Sequence, residues 1–133
     1  MSTTSAKNAY FDLNTTGLGY LNRVREVIPA PGESFWSVSI AALRGHVDAV
    51  QHTRFECRVS GKSAQQLVRQ LKPAVEGDLK VLIAFTLSDL TPESFEYKHG
   101  ERAGQVGVGL KARLIKITWA KVDGVSFYQD HAA

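Results

Sequence analysis

Polar and apolar residues alternate along three segments in the first half of the chain, a pattern typical of strands with one packed face and one wet face. The clearest is Arg-Phe-Glu-Cys-Arg-Val-Ser at 54–60, which alternates without exception. Turn signals, Pro-Ala-Pro-Gly at 29–32 and a glycine at 45, separate the segments. A meander of three strands is therefore predicted, at residues 17–28, 34–44 and 50–60.

A helical period follows the third strand. Apolar residues recur there at helical spacing on one face, at Ala64, Leu67, Val68, Leu71 and Val75. Ser63 is predicted to cap this helix, with Gln66 completing a capping box. Pro73 is expected to disrupt the last turn.

The second half of the chain predicts two more strands around a hairpin or long loop. The strands are expected at 79–88 and 109–122, and the hairpin at 93–108 with its tip near His99 to Glu101. The apolar residues of the last strand change phase between Leu114 and Ile115, which predicts a bulge. After it, Ile115, Ile117 and Trp119 are expected on the side opposite Leu114.

This order of elements, with the helix between strands three and four, is that of the OB-fold. The predicted fold class is all-β with one helix, a five-stranded Greek-key barrel of a kind that binds oligonucleotides. One domain is expected over residues 10–133, after a disordered polar tail at 1–9.

Composition is compatible with this prediction. The chain has 133 residues, of which 44% are hydrophobic, enough for a core without disulfides. Its single cysteine, Cys57, is expected to be a buried small hydrophobe. No apolar leader and no stretch long enough to span a membrane is present, so a cytoplasmic protein is expected.

Gly61-Lys62-Ser63 between a strand and a helix raises the possibility of a nucleotide-binding loop. Such a loop needs a glycine five residues before its Gly-Lys, and Glu56 stands there. The strand before such a loop is also apolar on both faces, whereas this one alternates. An NTPase is therefore not expected.

Other enzymatic signals are weak. The four histidines are scattered and lack partners at metal-ligand spacing, so no metal is expected. Gly17 and Gly19 lack the third glycine of a dinucleotide fingerprint, since position 22 is asparagine. The sequence predicts a protein that is not an enzyme and has no cofactor.

Basic residues occur in pairs on strand faces. The net charge is +3 and the pI about 9.1, values compatible with a nucleic-acid partner. Each pair is spaced so that both members share one face of a strand. These residues are predicted to contact DNA phosphates, with ordinary solvated strand faces as the alternative. The pairs are Arg23 with Arg25, Arg54 with Arg58, and Lys111 with Arg113.

Aromatic residues near these pairs are candidates for stacking on bases. Phe35 lies on the polar side of strand two, and Phe95 and Tyr97 lie in the hairpin. Lys98 follows them and is also predicted to contact DNA. For each ring, packing against a second subunit or a flanking loop is the alternative. Trp36 and Trp119 are expected in the core, with stacking on bases as the alternative.

Residues 54–87 (RFECRVSGKSAQQLVRQLKPAVEGDLKVLIAFTL) resemble a segment of bacterial single-stranded DNA-binding proteins. YFDLNTTGLGYLNRVREV at 10–27 and LKARLIKITWAKVDG at 110–124 resemble replication-associated proteins of integrative and conjugative elements of Gram-negative bacteria, a family labelled as a domain of unknown function. The chain departs from the single-strand binders where they stack bases: the outer positions here are Arg54, Glu56, Arg58 and Ser60. Their acidic-tipped tail is also not recognised at residues 127–133.

Two functions remain open. One is a single-stranded DNA-binding protein that supports replication or transfer of a mobile genetic element. The other is an OB-fold interaction module that docks on replication or conjugation proteins with weak or no nucleic-acid binding. A homodimer or homotetramer, with a contact on strand one or strand five, is expected in either case.

Overall fold

A computed structural model describes residues 11–129. Within them lie six strands and one helix, and the prediction of a mostly β protein with one helix is confirmed. The expected tail at residues 1–9 lies outside the described residues. The elements are β1 (Asn14–Val27), β2 (Phe35–Arg44), β3 (Gln51–Val59), α1 (Lys62–Glu76), β4 (Val81–Glu96), β5 (Val106–Val122) and β6 (Val125–Gln129).

The first five strands pair in a closed ring. β1 pairs antiparallel with β2 and β4, β2 pairs with β3, and β4 pairs with β5. A parallel pairing of β3 with β5 closes the ring, and β6 adds to the free side of β5. The result is a small barrel whose strands each have an inner and an outer face.

The inner faces form the core, and α1 packs against β1, β4 and β5. The helix contributes Ala64, Leu67, Val68 and Leu71, the residues whose spacing predicted it. Inward residues of the strands alternate with outward ones; the least exposed include Val38, Ile40, Ile83, Leu87 and Leu114. The barrel wall therefore has a continuous apolar lining.

The start and end of α1 differ from the prediction. The N-cap is Gly61, at φ 94°, and no side chain caps the helix, so the predicted capping box of Ser63 and Gln66 is wrong. Gly61 holds the turn in a backbone conformation that favours glycine, and its carbonyl accepts the N–H of Gln65 at 3.1 Å. Pro73 does not end the helix, because it lies on the exposed side, where water can satisfy the carbonyl that loses its partner.

β5 contains the predicted bulge and a second one. Leu114 pairs with Leu87 and Lys116 with Thr86, which leaves Ile115 as the extra residue at the predicted position. Thr118 is skipped in the same way between Ile117 and Trp119. The expectation that Ile117 lies opposite Leu114 is wrong, because the first bulge returns Ile117 to the inner face, where it is 4% exposed.

The tryptophans differ from each other. Trp36 is half-buried and packs against the core, as expected. Trp119 is half-buried but lies outside the core cluster, with the Nζ of Lys121 5.3 Å from its ring centroid. Its assignment to the core was wrong, because the bulge at Thr118 places it on the outer face.

The hairpin between β4 and β5 continues the two barrel strands without a break. Pairing runs from Thr91 with Lys111, where β5 still pairs with β3, outward to Glu96 with Val106. We call residues 91–111 the arm. No helix in residues 11–129 is long and apolar enough to cross a membrane.

Candidate nucleic-acid interface

The strand registers place three arginines from distant parts of the sequence in one line across the outside of the barrel. Arg25 of β1 pairs with Ser37 of β2, Ser37 pairs with Arg58 of β3, and Arg58 pairs with Arg113 of β5. Directly paired residues lie on the same face of a sheet. A positive row therefore crosses four adjacent strands.

A second row runs beside the first, two residues along each strand. Arg23 pairs with Ser39, Ser39 with Glu56, and Glu56 with Lys111. Between and beside the rows lies an open depression of about 470 Å³, which we call the groove. Its lining includes Arg25, Phe35, Ser37, Glu56, Arg58, Asp89, Thr91, Lys111 and Arg113.

Glu56, which lines the groove, accepts hydrogen bonds from two neighbouring side chains. The hydroxyl of Ser39 donates to Oε1 of Glu56 at 2.7 Å, and Nε of Arg54 donates to Oε2 at 2.6 Å. Ser39 is 1% exposed, so this bond satisfies a buried polar group. Arg54, predicted as a phosphate ligand, is thus held by a carboxylate on its own strand and does not line the groove.

The groove has β5 along one side and β1 along the other, which we call the β5 border and the β1 border. The cations of the two borders differ in whether they form ion pairs. On β5, Nζ of Lys111 lies 3.2 Å from Oε1 of Glu93, and Nε of Arg113 lies 3.1 Å from Oδ2 of Asp89. On β1, Arg23 and Arg25 form no ion pair or side-chain hydrogen bond with any residue in 11–129. One border of the groove is therefore charge-compensated and the other is open.

Phe35 is the aromatic residue of the groove. It is half-buried at the start of β2, and the guanidinium carbon of Arg58 lies 4.2 Å from its ring centroid. At this distance the positive guanidinium is attracted to the face of the ring. A charge and an aromatic surface consequently lie together in the first row.

The other two predicted rings lie on the arm, on the face that continues from Lys111. Phe95 pairs with Gly107, and the N–H of Tyr97 donates to the carbonyl of Gln105 at 2.9 Å. The two rings meet edge to face with centroids 5.0 Å apart. The structure thus aligns both rings with the groove side of β5, while Lys98 lies exposed beyond the paired strands.

Sequence reasoning missed two features of the arm. Arg102 donates to the hydroxyl of Tyr97 at 3.2 Å and lies over its ring, although it is five residues away in the chain. The ion pairs of Glu93 with Lys111 and, at the base of the arm, of Asp89 with Arg113 were not predicted either. The register of the hairpin, set by a tip near Gly100, is the signal that could have placed Glu93 near Lys111.

Cys57 behaves as the sequence indicated. It is 2% exposed, and burial, followed by the nearby charge of Glu56, raises the pKa of its thiol to about 12. Among residues 11–129, no three histidine, cysteine or acidic side chains are grouped so that they could hold a metal ion.

A family model with the description "Protein of unknown function (DUF3577)" matches residues 4–133, nearly the whole chain. No curated protein matches the chain, and no solved structure matches it. Because the match covers the barrel, the groove and the arm together, the chain belongs to the DUF3577 family.

Proposed function

We propose that this protein is an OB-fold protein that binds single-stranded DNA along the groove. The observation that carries the proposal is the row of Arg25, Arg58 and Arg113 across four strands, with the Phe35 ring beside it. Phosphate contacts supply most of the affinity of such proteins, and rings supply stacking for any base. The groove offers both on one surface.

The barrel supports the OB-fold assignment. The ring of pairings runs β1, β2, β3, β5, β4, and the helix lies between β3 and β4 in sequence. Proteins of this fold bind oligonucleotides across strands two and three, with help from the loops between strands one and two and between four and five. Here, the groove crosses β2 and β3, and the arm occupies the second loop position.

The rings favour a single strand over a duplex. Stacking on Phe35, Phe95 or Tyr97 requires a base whose face is free, and a paired base in a helix has none to offer. With the resemblance to proteins of integrative and conjugative elements, this leads us to propose a cytoplasmic role in replication or transfer of such an element.

Fluorescence anisotropy with a labelled oligodeoxythymidylate tests the proposal. We expect saturable binding that weakens linearly with the logarithm of salt concentration, and weaker binding of the same length of duplex. A flat titration at low salt contradicts DNA binding and leaves protein docking as the function.

Arginine substitutions locate the site. Arg25→Ala with Arg58→Ala removes two cations of the row and should reduce the salt slope by about 1.4, since each phosphate contact on a single strand contributes about 0.7. Lys62→Ala with Arg69→Ala is the matched control, because both cations are exposed on α1 and neither lines the groove. Equal slopes for the two double variants would place the DNA elsewhere.

A further inference from the structure

Two ion pairs occupy the β5 border of the groove. Arg113 and Lys111 point outward from β5 two residues apart, and each meets a carboxylate of β4, Asp89 and Glu93 respectively. All four side chains are more than half exposed, from 53% for Arg113 to 70% for Asp89. Exposed pairs of this kind are worth at most about 1 kcal/mol, so a phosphate can displace the carboxylate.

Displacing a carboxylate from Lys111 or Arg113 costs free energy, whereas binding a phosphate at the β1 border does not carry this cost. When a phosphate takes Lys111 or Arg113, the abandoned carboxylate remains a few ångströms from a new negative charge. It must take up a cation from solution, which offsets one of the counterions that the DNA releases. Within residues 11–129, Arg23 and Arg25 have no such carboxylate to displace.

We propose that the carboxylates of Asp89 and Glu93 compete with DNA phosphates for Arg113 and Lys111. This competition sets the affinity of the groove for single-stranded DNA. This inference rests on the proposed single-strand binding. A strand is held first at the open β1 border, and it closes onto β5 only by replacing two internal anions. The carboxylates keep the complex weak and readily reversed, and they lower its dependence on salt.

The two positions allow substitutions that remove charge and little else. Asp89 has φ 56°, a left-handed conformation that asparagine tolerates as well as aspartate. Glu93→Gln keeps the length of the side chain and an oxygen that Lys111 can reach. Glu56 is left unchanged because its carboxylate also satisfies the buried Ser39.

The chain offers a closely matched control. Asp123 also has a left-handed backbone, at φ 49°, and accepts the N–H of Lys80 at 2.8 Å, which an asparagine oxygen can still do. Glu76 is paired with Lys72 at 2.6 Å on α1, as Glu93 is with Lys111. Asp123→Asn with Glu76→Gln therefore makes the same change in net charge away from the groove.

The test compares wild type, Asp89→Asn with Glu93→Gln, and the control pair, by anisotropy with labelled oligodeoxythymidylate over a range of salt. We expect the groove pair to bind about threefold to tenfold more tightly than the control pair at low salt, with a salt slope steeper by about 1 to 2. Equal affinities and slopes for the two double variants, in the presence of wild-type binding, would overturn the competitor role alone. No binding by wild type at the lowest salt would overturn the proposed function and this inference with it.

Glu93→Gln alone provides a second measurement, since Glu93 is exposed and in ordinary strand geometry. It should give part of the gain in affinity, and an unchanged affinity would count against the competitor role at this position.

Discussion

The guanidinium carbon of Arg58 lies 4.2 Å from the centroid of the Phe35 ring, in the middle of the row of arginines. The contact fixes the arginine head beside one face of the ring. It also covers part of the aromatic surface that we propose as a stacking platform, so a base and the guanidinium must share the ring or exchange on it.

Phe35→Ala should weaken single-strand binding by about 1 to 3 kcal/mol if one base stacks there. Stacking releases no counterions, so the salt slope should stay close to that of wild type, unlike the slope of the arginine variants. Phe127→Ala is the control, because Phe127 is 47% exposed on β6, away from the groove lining. Equal losses for the two variants would mean that Phe35 has no special contact with a base.

Gly107 should be needed for the observed ring positions in the arm, while Gly109 should not. A Cβ at Gly107 would lie 2.7 Å from Cζ of Phe95 and 2.9 Å from Tyr97, which forces both rings to move. A Cβ at Gly109 would lie 3.7 Å from Phe95, an ordinary contact. We expect Gly107→Ala to change the near-ultraviolet circular dichroism of the aromatic residues and to weaken DNA binding, and Gly109→Ala to do neither. If Gly107→Ala changed the circular dichroism but left DNA binding unchanged, the ring positions would not matter for binding.

The buried thiol predicts a dependence of stability on pH. Burial, and to a lesser extent Glu56, raises the pKa of Cys57 from 9.0 to about 12, so the unfolded chain loses this proton before the folded chain does. Stability is full below the unfolded pKa and falls as pH rises through the window from 9.0 to about 12. Relative to Cys57→Ala, wild type should lose about 1 kcal/mol of unfolding free energy between about pH 9 and about pH 10, measured by urea denaturation. Parallel curves for the two proteins would contradict a buried, protonated thiol.

Nucleotide binding is not expected at Gly61-Lys62-Ser63. Lys62 is exposed at the start of α1, and the connection between β3 and α1 is only Ser60 and Gly61, too short to wrap around phosphates as a glycine-rich loop does. Calorimetric titration of wild type with ATP should give no saturable heat, and Lys62→Ala should be indistinguishable from wild type. Saturable ATP binding would contradict both this prediction and the OB-fold proposal.

Self-association remains a prediction. Two residues of the β5 row on which the sequence suggested a subunit contact, Ile115 and Trp119, lie on the outer face, although Ile117 does not. A homodimer or homotetramer should appear in sedimentation equilibrium at micromolar concentration. A single species of 14.6 kDa would contradict it and would limit each particle to one groove.

The sequence predicted the elements well because each has a local cause. Alternation in 54–60 and helical spacing at Leu67, Val68 and Leu71 both reflect burial on one face, and the structure buries those faces. β6 was missed although Asp123-Gly124 is a strong hairpin signal, and both residues have the positive φ that a two-residue turn requires. The strand after it is only five residues long and largely exposed, so its pattern alone carries little information.

The site was less accessible from sequence because its contacts depend on register between strands. The spacing of Arg54 and Arg58 on one face of β3 suggested that the two act alike. Instead, Arg54 forms an ion pair with Glu56, while Arg58 lies over the Phe35 ring. Which acidic residue compensates which cation follows from the alignment of β4 with β5. One-residue bulges change that alignment, and only the bulge at Ile115 had a visible signature in the apolar pattern.

The bulge between Ser88 and Thr91, where Asp89 adopts its left-handed backbone, decides which way the arm presents its side chains. Removing or adding one residue there would shift the register of residues 91–96 by one position, which turns their side chains to the opposite face. Phe95 would then exchange faces with its neighbours Ser94 and Glu96. The tip around residues 98–104 carries no such constraint, since a longer turn leaves the ladder below it unchanged. Insertions and deletions among members of the DUF3577 family should therefore accumulate at the tip and be rare at residues 88–91.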